Sequence, residues 1–173
     1  MEDASTRTPA RARGSRLALK PRDGWFFAIA AGLVVLDQLT KWFIRQAIER
    51  GDTWPSREWP LRLVHLTNSG AAFGMLQDAG PMLALTSLIG VVAVAVYLLN
   101  PGFAHPLMRV GLAAMLGGAT GNLIDRVING EVVDFIKVPH FPAFNVADSS
   151  ITIGVLLLLW AMTKEPEAKP AAN

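Results

Sequence analysis

The chain has 173 residues, of which 51% are hydrophobic and 17% charged, and its mean hydropathy is +0.34. Soluble domains carry roughly 25% charged residues, so this composition argues against an ordinary soluble domain and for a few membrane spans. The formal charge is only +2 and there is no cysteine, which removes disulfides, cysteine nucleophiles and thiolate metal sites.

The charge is unevenly spread. Arg7, Arg11, Arg13, Arg16, Lys20 and Arg22 crowd residues 1–22, opposed only by Glu2 and Asp3. This stretch lacks apolar periodicity and reads as a disordered tail. A basic arm of this kind either binds nucleic acid or flanks a span on its cytoplasmic side. An apolar run follows at once, so the flank is the expectation and a nucleic-acid partner is not. Trp25–Phe43 is the first span. Its core ends in LDQLTKWF, without a small-residue cleavage pattern, so it reads as a membrane helix rather than a signal peptide. Asp37 and Lys41 lie four apart on one helix face, acid before base. They are either a structural ion pair, with the lysine snorkelling to the interface, or direct support for a site.

Residues 44–80 form the longest polar stretch. Leu61, Leu63 and His65 alternate with Arg62, Val64 and Leu66, as in a short strand. Asn68-Ser-Gly follows, and Gly70 and Gly74 permit unusual backbone angles; Asn68 is either a turn residue or an amide donor facing a site. Pro81–Leu99 carries no charge and is long enough to cross about 30 Å of hydrocarbon. After a short loop over Pro101–Pro106, Leu107–Ile128 is the third span. Its Gly117 and Gly121 have the spacing that lets helices approach closely. Asn122 and Arg126 share a face one turn apart, and Gly130 is a helix stop. Residues 131–144 are not one helix, because Pro139 and Pro142 interrupt them; Val132–Ile136 reads as extended. Asn145 opens the last span.

The expected fold is an all-α membrane protein with four transmembrane helices, at about 25–43, 81–99, 107–128 and 146–163. The short strand at 61–66 lies in the polar stretch 44–80, between the first two spans. Together they make one domain over 23–163, between the tails 1–22 and 164–173. An even number of spans puts both termini on one side, and the basic arm makes that side the cytoplasm. The loops 44–80 and 129–145 then lie outside.

Gly117–Asp148 concentrates Asp125, Asp134, Asp148, Arg126, Asn122, Asn129 and Asn145 between two apolar segments. Polar groups near membrane depth are costly unless used. The three histidines, His65, His105 and His140, make no nucleophile motif with a serine and no metal-ligand spacing, so neither a serine triad nor a metal is expected. Carboxylates remain. Asp134 follows the third helix and Asp148 lies in the first turn of the fourth, with prolines turning the chain back between them. Two carboxylates sharing a poorly hydrated site do not both ionise. The charged one takes a proton from water and the neutral one donates to a peptide carbonyl, which is hydrolysis without a cofactor. The plainer alternative is that Asn145 and Asp148 form a capping box and that Asp125 balances Arg126.

Five motifs resemble bacterial lipoprotein signal peptidase (signal peptidase II), an aspartic membrane endopeptidase family. They are Asp37-Gln-Leu-Thr-Lys41, Asn68-Ser-Gly-Ala-Ala-Phe73, Gly117-Gly-Ala-Thr-Gly-Asn-Leu-Ile-Asp-Arg126, Gly130-Glu-Val-Val-Asp-Phe135 and Phe141-Pro-Ala-Phe-Asn-Val-Ala-Asp148. They stand in the family's order across roughly residues 25–160; the segment between Asp134 and Asn145 is short for the family. The resemblance implies that Asp134 and Asp148 are the catalytic dyad. It implies that Asn68, Asn122, Arg126 and Asn145 support or bind around it, and that Asp37 and Lys41 hold the first helix. It implies a prolipoprotein already carrying diacylglycerol as substrate, cut just before the lipidated cysteine. It further implies four transmembrane helices with a small extracytoplasmic β-element, which suits about 44–80, and inhibition by globomycin-type peptides. Membrane lipid as surroundings, a monomer and the bacterial inner membrane are expected with it, and the topology puts the site near the outer face. Two rivals of other classes stand beside it: a proton-coupled transporter or channel subunit, and a non-enzymatic membrane assembly module.

Overall fold

The computed structural model describes residues 24–69, 80–99 and 105–164. The expectations for the two tails, for Gly70 and Gly74, and for most of the 101–106 loop lie outside the described residues. In chain order the elements are α1 (Gly24–Ala47), β1 (Thr53–Trp54), β2 (Arg62–Asn68), α2 (Gly80–Leu99), α3 (Pro106–Asn129), β3 (Val132–Lys137) and α4 (Val146–Met162).

Local chemistry explains most boundaries. His105 caps α3, its Nδ1 accepting from the Leu107 N–H, and Pro106 occupies the first turn, where a missing donor costs nothing. Gly130 closes the helix at φ 75°, a left-handed conformation that only glycine adopts cheaply, and its N–H returns to the Arg126 carbonyl. Asn145 caps α4 and completes a capping box with Asp148. α1 runs one turn beyond the expected Phe43, because Ile44 is buried against Val133 and Phe135.

α1, α2 and α3 are each long and apolar enough to cross a membrane; α4 is apolar and shorter, at 17 residues. Their outward faces are hydrophobic. Leu85, Ile89, Val92 and Val96 on α2, and Leu156, Leu159 and Trp160 on α4, are all more than half exposed. So continuous an apolar exterior suits hydrocarbon rather than water. The chain is a multi-pass membrane protein.

α3 is the hub, packed against α1, α2 and α4. Small residues make this possible. A Cβ on Gly117 would stand 2.7 Å from the Ala30 carbonyl oxygen, and one on Gly121 would stand 2.5 Å from Asp37 Oδ2, so the expected close approach is made to α1. On the side of α4, Gly111 meets Gly154 and Gly118 meets the Ala147 carbonyl, so the two helices run antiparallel. Gly118→Ala is expected to cost about 1–3 kcal/mol, since its methyl would meet backbone rather than a yielding side chain. Thermal unfolding in detergent measures this. Gly32→Ala is the control: nothing lies within 4 Å of its would-be Cβ, and its stability should hold or rise.

The sheet corrects one expectation. Its order is β1-β2-β3, all antiparallel, so the β-element is not confined to 44–80. Its third strand comes from the extended segment after α3. The reason is burial: Val132, Val133, Asp134 and Phe135 are all buried, and Val133 and Phe135 join Ile44 in a core with Leu63 and Val146 packed around it.

Candidate active site

Asp134 projects from β3 and Asp148 from the first turn of α4; the chain between them folds back through an isolated bridge of Phe144 to Ile136. Asparagines join them. Asn145 Nδ2 donates to Asp134 Oδ1 at 2.8 Å, while its backbone N–H donates to Asp148 Oδ2 at 3.3 Å. Its own Oδ1 accepts from the Asp148 N–H at 2.9 Å. Asn68, at the end of β2, donates to the other oxygen of Asp134 at 3.1 Å. Asn122, on α3, donates to Asp148 Oδ1 at 2.8 Å. The structure therefore brings Asn68, Asn122, Asn145, Asp134 and Asp148 together from four elements. The capping reading of Asp148 also holds geometrically, but it uses only one carboxylate oxygen.

Burial raises the Asp134 carboxyl to about 6; the Asn68 bond pulls it down, the charge of Asp148 adds to the rise, and Asn145 and Lys41 oppose it. Asp148 is more open. It lines a groove of about 360 Å³ with Phe141, Phe144, Ser149, Thr152 and Ile153. One carboxyl is sheltered and the other faces a largely apolar opening.

Behind the asparagines lies a charge cluster. Lys41 and Asp37 are 0% exposed, so this lysine does not snorkel. Its ammonium meets three oxygens: Asp37 Oδ2 at 2.8 Å, Asn122 Oδ1 at 2.9 Å and Asp125 Oδ2 at 2.9 Å. Asp37 Oδ1 accepts from the Ala147 N–H at 2.9 Å, tying α1 to the first turn of α4. Arg45 contacts Asp125 Oδ1 at 2.9 Å. Asp125 therefore does not balance Arg126; it faces α1, where two cations meet it. Asn122 Oδ1 is held by Lys41 and by Asn145 at 3.2 Å, so its amide nitrogen is left to face Asp148.

Arg126 stands apart. It is half-buried, and its described bond runs to the Asn122 carbonyl of its own helix at 3.5 Å. Among the described residues no hydrogen bond joins it to either aspartate. Gln38, Arg45 and Asp125 were missed as members of the cluster. Spacing held a signal for two of them: Arg45 is one turn after Lys41, and Asp125 is three residues after Asn122.

Apolar helices converging on a buried carboxylate–amide centre beside a small sheet define a membrane-embedded protein with hydrolytic chemistry at hand. A family model described as signal peptidase (SPase) II matches residues 29–164. A lipoprotein signal peptidase of Brevibacillus brevis is 41% identical over 137 residues, 78% of this chain and 92% of that protein. One from Geobacillus kaustophilus is 42% identical over 137 residues, 77% and 89% respectively. A bacterial membrane enzyme solved by the in meso method at 2.3 Å superposes with a TM-score of 0.75 at 34% identity, covering 87% of this chain and 94% of that one. The chain belongs to the signal peptidase II family, the lipoprotein signal peptidases. It is accordingly a peptidase of lipoprotein precursors, and the transporter and assembly-module readings fall away.

Proposed function

We propose that Asp134 and Asp148 form the catalytic dyad, and that the enzyme cuts a diacylglyceryl-modified prolipoprotein just before its lipidated cysteine. The observation that carries this reading is the pair itself: two carboxylates from different elements, linked through Asn145, one sheltered and one lining an apolar groove. Asp134 keeps the proton. Asp148 takes a proton from water as the water oxygen attacks the scissile carbonyl carbon, and Asp134 donates its proton to the carbonyl oxygen. The tetrahedral carbon then collapses and the C–N bond breaks. The leaving nitrogen takes the proton from Asp148, and the carbonyl proton returns to Asp134. An apolar substrate filling the groove excludes water and favours the neutral acid further. Asn68, Asn122 and Asn145 orient the pair, Asp37 and Lys41 hold α1 to the site, and Arg126 is left with donors for a substrate carbonyl. A globomycin-type peptide would occupy the same groove.

The test is cleavage by the purified protein in detergent of a diacylated precursor against its unlipidated form. The diacylated form should be cut and the unlipidated one scarcely. Equal rates would remove the lipid from the recognition.

The same reading makes α4 the fourth span and puts both termini in the cytoplasm. Seventeen residues is the short end of what spans a bilayer, and α4 lies antiparallel along α3. The chain has no native cysteine, so single cysteines report sidedness cleanly. A cysteine at Ser5 should label only from the cytoplasm and one at Glu58 only from outside. The opposite pattern would invert the topology and place the dyad at the inner face.

A further inference from the structure

The segment between α1 and β1 is fastened to β2. His65 Nδ1 donates to the Ile48 carbonyl at 2.8 Å. The Gly51 N–H donates to the His65 carbonyl at 2.8 Å, and the His65 N–H donates to the Asp52 carbonyl at 3.1 Å. These bonds fix the backbone on both sides of Arg50. From that base its side chain reaches two further places: Nη2 donates to the Thr67 hydroxyl and to Glu131 Oε2, the latter at 2.7 Å. Thr67 lies on β2 and Glu131 directly precedes β3, so one guanidinium joins the ends of both strands to the segment after α1.

Those ends are where the ladder stops. β2 and β3 pair from Arg62 opposite Lys137 to Asn68 opposite Val132, with an irregularity between Leu63 and Leu66. A break of this kind disrupts the ladder locally, so the last three pairs depend on a fastening of their own. Asn68 is the final residue of β2 and is exposed, so burial does not hold it. Yet this residue carries one of the amides of the site, its Nδ2 donating to Asp134 Oδ2 at 3.1 Å.

We propose that Arg50 is a positioning residue for Asp134: by clamping Thr67 and Glu131 it holds the end of β2 in place and keeps the Asn68 amide on the Asp134 carboxyl. The clamp contributes position rather than stability. Arg50 is 64% exposed and Glu131 28%, and ion pairs so open are worth little to folding. Its effect is on the acid. Burial raises the Asp134 carboxyl, and the Asn68 bond is the largest of the interactions that lower it. The charged groups that act on Asp134 are Asp148 from α4, which raises it, and Lys41 from α1, which lowers it. From α3, Asp125 turns to Lys41 and Arg45 instead. All of these stay in place in the variants below. The effect on rate rests on the reading of Asp134 as one of the catalytic pair; the effect on its titration does not.

The test uses the full chain in detergent with a diacylated precursor. It compares wild type with Arg50→Met, Thr67→Val, Asn68→Ala and the double variant Arg50→Met/Asn68→Ala. Methionine keeps much of the arginine stem without its donors, and valine keeps the shape of threonine without its hydroxyl. Arg50→Met should lower kcat about tenfold with KM unchanged, within the cost of displacing a catalytic group by about 1 Å. Thr67→Val should lower kcat alone in the same way; it leaves the ion pair intact, so it carries the test if Arg50→Met fails to fold. Infrared spectroscopy reads the Asp134 carboxyl directly, as the C=O band missing from Asp134→Asn. In both clamp variants and in Asn68→Ala, its titration should move upward from about 6. The double variant should be no slower than Asn68→Ala, because the clamp acts through that amide. Tm should fall by no more than about 4 °C in either clamp variant. A loss in Arg50→Met that adds in full to that of Asn68→Ala would overturn the proposal. So would an Asp134 titration unmoved in the clamp variants, which would leave Arg50 a merely structural residue. A titration that moves while Asp134→Asn still cleaves would uphold the clamp and sink the dyad instead.

Discussion

Asp134→Asn and Asp148→Asn should each lower cleavage of a diacylated precursor by about 10²–10⁴, the usual scale for general acid–base catalysis, in a protein that still folds and inserts. Asparagine is nearly isosteric but neither takes a proton from water nor cycles between charge states. The hydrogen-bond geometry makes the two variants informative. Each carboxylate accepts on both oxygens, Asp134 from Asn145 and Asn68, Asp148 from Asn122 and Asn145. An amide in place of either keeps one acceptor, so the cap of α4 survives in Asp148→Asn. A role in capping alone would therefore leave cleavage within a few-fold of wild type, and that result would return Asp148 to the status of a helix cap. The double variant should be scarcely worse than either single, because the pair acts as one unit.

The pH dependence follows from Asp134, raised from 3.8 to about 6 chiefly by burial. If its neutral form donates to the carbonyl, kcat/KM should decline as pH rises through about 6, and that limb should vanish from the residual activity of Asp134→Asn. Stability carries the same sign. Between about 4 and 6 the folded protein binds more protons at this group than the unfolded chain does, so its contribution is present below about 4 and lost as pH rises through about 6. Thermal unfolding of wild type should fall across that window relative to Asp134→Asn.

Lys41→Met should cost about 3–5 kcal/mol, the scale for removing one partner from a buried ion pair. Methionine fills the volume of the lysine stem, so the loss is one of charge. Lys41 and both its acid partners are 0% exposed, and without the ammonium two carboxylates remain in a dry bundle. Asp125 keeps Arg45, and Asp37 keeps the Ala147 N–H and Gln38, which is why the protein is weakened rather than lost. For a chain of this size the fall in Tm is about 2–4 °C per kcal/mol. Lys41→Met combined with Asp37→Asn should recover part of that loss. It removes a negative charge along with the positive one, the amide oxygen still accepts from Ala147, and the Asp125–Arg45 pair is untouched. A double variant as unstable as the sum of the two single losses would mean that the four charges do not act as one network. Lys41→Met should also slow cleavage in the protein that survives, because Asn122 Oδ1 loses one of the two donors that hold it.

Element positions were legible because their signals are local. Gly130 at the end of α3 and the Asn145–Asp148 box at the start of α4 act within a few residues of themselves. An apolar run announces a membrane helix without reference to any partner. The candidate site was legible as a set of residues through its motifs, and Asn122 and Arg126 were correctly placed on adjacent turns of one helix. Sequence did not say what each polar group faces. Asp125 is adjacent to Arg126 in the chain, yet it meets Lys41 and Arg45, because the helical turn points it toward α1. Lys41 had the stem to reach an interface, and stays buried because Gly117 and Gly121 let α3 approach α1 closely enough to surround it with oxygens. The third strand and the opposition of Arg62 to Lys137 likewise depend on a pairing across some seventy residues. The sequence by itself determined the number of helices and where α3 ends and α4 begins, since caps, prolines and apolar runs are near-neighbour effects. Only the tertiary structure decided which charges compensate one another, because that depends on how closely separate elements approach.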